Sequence, residues 1–234
     1  MLHWTAPCAA AQAAVADPLN SPMWDVVQKE HFKNQKIEFD TRVKVNSPTV
    51  AEDPLNVPVA VDVSEIADVQ EVRVYADLNP IVKVLQFYPD KAKPYLAFRV
   101  KLQQSSPIRA AARTRDGVWH MSGVWVTTTG GGCTVPSAHA GSGLPLWQSR
   151  LGAVQGRVWA AGADGQRVRA RIIHPMDTGL APESPPFTST PKLSGAPAPI
   201  LGWASLRPYS PCSPINSEAI PFELVVVERS AIAR

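Results

Sequence analysis

One cysteine in this sequence stands where a thiol is hard to hide. Cys133 follows Gly130, Gly131 and Gly132 inside the run TTTGGGCTVPSAHAGSG, which carries no apolar periodicity. A thiol normally sits in a core as a small hydrophobe. One placed in a glycine-rich segment without a packing face is expected to be exposed, and an exposed thiol reacts through its thiolate. Three missing side chains would let the sulfur enter a narrow partner cleft. Fully extended, the stretch from Thr127 to Cys133 spans about 20 Å at ~3.3 Å per residue. That geometry suits an arm carrying a covalently held group between stations. An enzyme's own nucleophile would be fixed beside a base, and only His139 is near in sequence. A linker cysteine without function is the plain alternative.

Other chemistry is sparsely represented. The chain has no GxSxG elbow, no HExxH and no phosphate loop, since GGGC lacks the lysine and hydroxyl that such a loop needs. His120, His139 and Cys133 have ligand types that suit copper or zinc, but a ligand on a glycine tether is poorly preorganised. We expect no metal and no cofactor, with His120 a strand residue beside Trp119. Cys8, Cys133 and Cys212 show neither CxxC nor zinc-finger spacing, and the count of 3 leaves at least one thiol without a partner in the chain.

The elements that must position the arm read as strands. Hydrophobic residues make up 45% of the 234 positions and charged residues 18%, enough for a core, while 23 prolines disfavour long helices. A short helix is expected from Ser21 to Phe32, capped by Ser21 with Pro22 in its first turn and Trp24 as a core anchor. Val57, Val59, Val61 and Val63 alternate with smaller or polar residues, as do Leu96, Phe98, Val100 and Leu102 with Arg99, Lys101 and Gln103. Val72 and Val74 continue the pattern, Asn79-Pro80 marks a turn, and Asp116-Gly117 marks a hairpin. Many short strands separated by turn residues predict an all-β sandwich of immunoglobulin-like type.

Beyond the glycine run, strands are expected at Val154–Ala161 and Gln166–Ile173 around Ala-Asp-Gly, with HisProMetAspThrGly (174–179) ending the second. Phe222–Val227 supplies a later one. The sequence therefore predicts two sandwich domains, 17–128 and 149–234, joined by an arm and linker at 129–148. Residues 180–214 are proline-rich and irregular, anomalous for a compact domain. A shifted reading frame is our expectation there, so Cys212 is given no role. Residues 1–16, alanine-rich and ending in Ala-Val-Ala before Asp17, look like a truncated export signal, or else a tail.

The net charge of +3 is no nucleic-acid footprint. The alternating Arg167, Arg169 and Arg171 read as a solvated strand face. No apolar run reaches the ~18 residues that a membrane-spanning helix needs.

Asn79-Pro80, the stretch Pro107 to Ala112 and the ValThrThrThrGlyGlyGlyCys arm resemble the SoxY sulfur carriers over residues 25–133. Residues 152–179, closing in HisProMetAspThrGly, resemble SoxZ, whose comparable motif is HPMETG-like. Together they resemble fused SoxYZ-like carriers, the single-chain type associated with quinoprotein dehydrogenases. The resemblance implies a periplasmic, non-enzymatic carrier of sulfur oxidation. In the family, a c-type cytochrome joins thiosulfate oxidatively to the arm cysteine and partner enzymes then process the attached sulfur. Cys133 maps onto that cysteine and Gly130, Gly131 and Gly132 onto the flexible approach, with His174, Pro175 and Met176 as candidates for partner docking or a plain turn. Two departures stand out. Separate SoxY chains end close after the cysteine, typically in GGCGG, whereas Thr134 and Val135 continue here. The family's isoleucine-proline-alanine-aromatic segment is also replaced by APESPPFTSTPKLSGAPAPIL. Two other functions fit the residues: a thiol enzyme, such as a sulfurtransferase or peroxidase using Cys133, and a structural module binding a dehydrogenase.

Overall fold

The structure, a computed structural model, describes residues 16–33, 35–90 and 92–131, together with four later strands at 154–160, 166–172, 205–208 and 222–228. Strands dominate it, as the alternation predicts. After one helix, α1 (Trp24–His31), come β1 (Ile37–Phe39), β2 (Lys44–Asn46), β3 (Val50–Ala51), β4 (Val57–Asp62), β5 (Val69–Ala76) and β6 (Lys83–Tyr88). Then follow β7 (Ala92–Val100), β8 (Ser106–Thr114), β9 (Trp119–Thr128), β10 (Val154–Ala160), β11 (Gln166–Ile172), β12 (Ser205–Pro208) and β13 (Phe222–Glu228).

These strands make two sheets among the described residues. One runs β1-β9-β8-β5-β6-β12, with β3 also paired to β9; the other runs β10-β11-β13-β7-β4-β2. The period-2 pattern explains the main core. Val57, Val59 and Val61 of β4 and Leu96 and Phe98 of β7 face Val72, Val74, Leu85, Phe87 and Ile108 of the other sheet, all buried. Each such side chain contributes roughly 1.5–3 kcal/mol by leaving water.

The outer face of the first sheet is covered too. Tyr75, Ala111, Trp119 and Met121, out of phase with the core residues, pack under Trp24 and Val27 of α1 and under Phe32. Strand β8 is therefore buried on both sides, which explains its small-residue run Ala110–Ala112. Trp24 is the anchor expected from the sequence. The helix, however, begins at Trp24 rather than Ser21, and no side chain caps it. The Ser21 Oγ instead accepts the Met23 amide at 3.3 Å within the preceding turn. Asp17 takes the Leu19 and Ser21 amides at 3.1 and 2.7 Å, so the chain up to the helix is fixed before the helix starts.

The hairpin at Asp116-Gly117 forms as expected, with Gly117 at φ +86° and the Thr114 amide bonded to the Val118 carbonyl at 3.0 Å. Strands β10, β11 and β13 fall close to their expected limits. Strand β13 adds to β7, carrying β11 and β10 with it, while β12, inside the irregular stretch, pairs with β6. In both places a strand edge of the N-terminal sheets, whose N–H and C=O groups would otherwise face water, is paired. Residues 161–165, where a hairpin turn is expected, and 173–204 lie outside the described residues, as do residues 1–15.

Candidate functional site

The described chain approaches Cys133 through the end of β9, the root of the stretch leading to it, and this root is held from two sides. Its Thr127 amide donates to the Thr49 carbonyl at 2.8 Å, and β3 runs parallel to it with Val50 opposite Thr127 and Ala51 opposite Thr128. On the other side the Thr128 amide donates to Ser105 Oγ at 3.0 Å, and that hydroxyl lies 3.2 Å from the Thr128 carbonyl.

Two residues further, Gly130 and Gly131 adopt left-handed backbone with φ of +83° and +87°. The Gly131 amide donates to the Gln103 carbonyl at 2.6 Å. A Cβ added at Gly130 would stand 2.9 Å from that same carbonyl oxygen. Glycine at 130 therefore serves a left-handed turn and a close backbone approach. The described backbone is held as far as Gly131. Gly132 and Cys133, the residue predicted to carry chemistry, lie outside the described residues, as do His139, His174, Pro175 and Met176.

Behind the root stands the turn 77–80. The buried Asn79 side chain spans the 101–103 backbone: Nδ2 donates to the Lys101 carbonyl at 2.8 Å, and Oδ1 accepts the Gln103 amide at 3.0 Å. The Leu78 amide donates to Ser106 Oγ at 3.0 Å and the Asp77 amide to the Pro107 carbonyl at 3.1 Å. Asn79 thus holds the connection between β7 and β8, to whose Gln103 carbonyl Gly131 is bonded.

The same turn carries a charge cluster. Arg109 and Asp77 are fully buried, with Nε 2.8 Å from Asp77 Oδ2, while both Arg109 Nη atoms reach the Asp17 carboxylate at 2.7 Å. The guanidinium also lies 4.7 Å from the Trp24 ring centre, a cation–π contact. Burial pushes both carboxylates up. For Asp17 the bonds from Arg109 and from the Ser21 and Leu19 amides outweigh burial, and its carboxyl is held below the usual range. For Asp77, deeper in, burial wins and the carboxyl is raised despite Arg109. Sequence reasoning missed this cluster. The signal available was an arginine in the middle of the apolar run Pro107–Ala112, since arginine is almost never fully buried unless paired.

His120 is a strand residue, as expected, with Nδ1 2.9 Å from Asp40 Oδ2. Hydrogen bonding from Arg42 is the largest influence on Asp40 and lowers its carboxyl to about 2. Among the described residues no group of three His, Cys, Asp or Glu side chains is placed to hold a metal.

The comparisons with known proteins bear on this region. Residues 28–133 match the family described as "Sulfur oxidation protein SoxY". They form a SoxY-like domain. The match runs from inside α1 to Cys133 itself, close to the 25–133 stretch that carries the resemblance in sequence. The SoxY-like domain is thus most of what the structure describes, with the Gly130–Gly131 backbone near its C-terminal end.

Two solved structures resemble the chain over part of its length. The sulfur carrier protein SoxY from Chlorobium limicola f thiosulfatophilum is 20% identical, with a TM-score of 0.41 over 46% of this chain and 96% of that one. A superoxide reductase (neelaredoxin) from Ignicoccus hospitalis is 18% identical, with a TM-score of 0.33 over 44% of this chain and 90% of that one. No curated protein matches. No described helix is long and apolar enough to cross a membrane.

Proposed function

We propose that this protein is a sulfur carrier of the periplasm, holding a sulfur intermediate covalently on Cys133 and presenting it to sulfur-oxidising partner enzymes. The observation that carries the reading is the SoxY match over residues 28–133, which ends on the cysteine that sequence reasoning singled out. A covalent tether keeps the cargo at high local concentration at each station without tight docking. With thiosulfate as cargo, the thiol loses its proton and a new sulfur–sulfur bond forms between Cys133 Sγ and the outer thiosulfate sulfur. Two electrons leave to a c-type cytochrome, and Cys133 is left bearing a disulfide-linked sulfonate. Residues 149–234 act as the SoxZ-like half of a fused carrier, with His174, Pro175 and Met176 as docking residues. A quinoprotein dehydrogenase is the associated system. The carrier itself catalyses nothing and uses no cofactor.

Replacing Cys133 with Ser in the native host tests this. Sulfur oxidation is lost while the purified variant keeps its fold and its partner binding. A variant that supports growth on the sulfur substrate as well as the parent would defeat the proposal. A thiol enzyme would instead turn over substrate on its own in purified form.

A further inference from the structure

We propose that the outward face of β10 and β11 is a docking surface for an acidic protein partner, whose carboxylates are met by Arg157, Arg167 and Arg169. Alternation fixes the face: Arg167 and Arg169 are exposed on either side of the buried Val168, so the two arginines share one side of the sheet. In the antiparallel register Arg157 stands directly opposite Arg169, with Trp159 opposite Arg167 and Gln155 opposite Arg171. Opposed residues lie on the same side of a sheet. Of the six positions that share this face on β10 and β11, four are therefore arginine and none is acidic. Like charges directly opposite one another destabilise a sheet. Among the described residues neither Arg157 nor Arg167 has a carboxylate partner to offset that repulsion.

Simpler accounts fit this pattern less well. A face that only meets water mixes both signs, as at the other edge of the same sheet, where Lys44 of β2 is bonded to Glu65 and stands opposite Asp62. Charges that guard a sheet edge belong on the edge strand, but only Arg157 lies on β10 and the other three are one strand further in. The next strand, β13, places Val227 opposite Arg167, Val225 opposite Arg169 and Glu223 opposite Arg171. Arginines beside an apolar pair, closed by one carboxylate, have the composition of a protein interface, where arginine is enriched and the rim is polar. A DNA duplex instead carries a charge every ~1.7 Å, against arginines spread over about 13 Å of β11. Guanidinium forks take carboxylates two bonds at a time. The register sets their spacing at about 5 Å across the strands and ~7 Å along one. The carrier reading supplies the partner's role as a sulfur-processing enzyme, and the charge pattern stands without it.

Labelled poly-L-glutamate stands in for the acidic surface, with its binding to the full chain followed by fluorescence anisotropy. The parent binds it, and the triple variant Arg157→Gln, Arg167→Gln, Arg169→Gln weakens binding about tenfold, the sum of three exposed ion pairs. A control that removes the same charge elsewhere, Lys36→Gln, Lys44→Gln, Arg115→Gln, keeps the parent's affinity. The arginine variant unfolds at the parent's temperature or above it, since it relieves the opposition of Arg157 and Arg169. Arg167→Gln alone weakens binding in the same direction and decides the matter if the triple variant does not fold. Equal affinity of parent and arginine variant, or an equal loss in the control, would overturn the inference. So would a parent that ignores polyglutamate and binds phosphatidylglycerol vesicles or a DNA duplex through these arginines. Cys133→Ser keeps polyglutamate binding, so the two readings fail separately: a protein that docks through this face and never carries sulfur refutes the carrier reading alone.

Discussion

The turn at residues 77–80 separates two fastenings of opposite chemistry. On one side Asp77, Arg109 and Asp17 tie the N-terminal segment to the sheet through buried charges. On the other, Asn79, Gln103 and Gly131 tie the segment after β9 through neutral hydrogen bonds. Breaking a buried ion pair strands an uncompensated charge and is strongly destabilising. A neutral hydrogen bond exchanges with water for a net of about 0.5–1.5 kcal/mol. The first fastening is therefore permanent on the lifetime of the fold. The second is of a strength that local motion opens while the sheets stay intact.

The largest expected effect falls on the charged side. Arg109→Ala leaves Asp77 buried without its partner and costs about 3–5 kcal/mol in denaturant-induced unfolding. A loss below about 1 kcal/mol would mean that the two fastenings do not differ as described. Gly130→Ala comes next: the left-handed backbone alone costs roughly 1–2 kcal/mol, and the contact with the Gln103 carbonyl at 2.9 Å adds to it. Its effect concentrates in Gly131 exchange, whereas that of Arg109→Ala appears in every core amide. If Gly130→Ala slows Gly131 exchange, the root is held differently.

The smallest effect lies away from both fastenings, at Asp40. Its carboxyl is depressed from 3.8 to about 2 in the folded protein, chiefly by Arg42. A depressed carboxylate stabilises fully above its unfolded value and loses that contribution as pH falls through its folded value. The stability advantage of the parent over Asp40→Asn is thus constant above about pH 5 and shrinks between about pH 4 and 2. It stays below about 1 kcal/mol, as for ion pairs near water. Urea titrations at stepped pH measure it, and an advantage that grows on acidification would reverse the assignment.

The contrast also marks what the sequence made legible. The alternating Val57–Val63 and Leu96–Leu102 runs and the Asp116-Gly117 turn are local signals: the turn formed as expected, and the strands β4 and β7 cover the runs except for Val63 and Leu102, with β7 starting earlier at Ala92. Trp24 as a core anchor followed from spacing. The fastenings depend on residues far apart in the chain: Asp17 meets Arg109 across 92 positions, and Asn79 meets Gln103 across 24. Periodicity carries no information about such pairs. The parallel pairing of β1 and of β3 with β9 is illegible for a related reason, since strands of two or three residues are too short to show alternation. GlyGlyGlyCys is visible in the sequence, but the bond that holds Gly131 depends on the distant Gln103 carbonyl. The destination of the later strands, on the edges of β7 and β6, is equally a matter of tertiary pairing.

The central claim is that Cys133 carries sulfur, and the intact mass of the protein taken from its native host during growth on a sulfur substrate tests it most directly. The account predicts an adduct on Cys133 that a reducing agent removes, its mass equal to a sulfur-chain or sulfonate cargo. Repeated recovery of the unmodified thiol, or of Cys133 locked in a disulfide with Cys8 or Cys212 in the working protein, would contradict it.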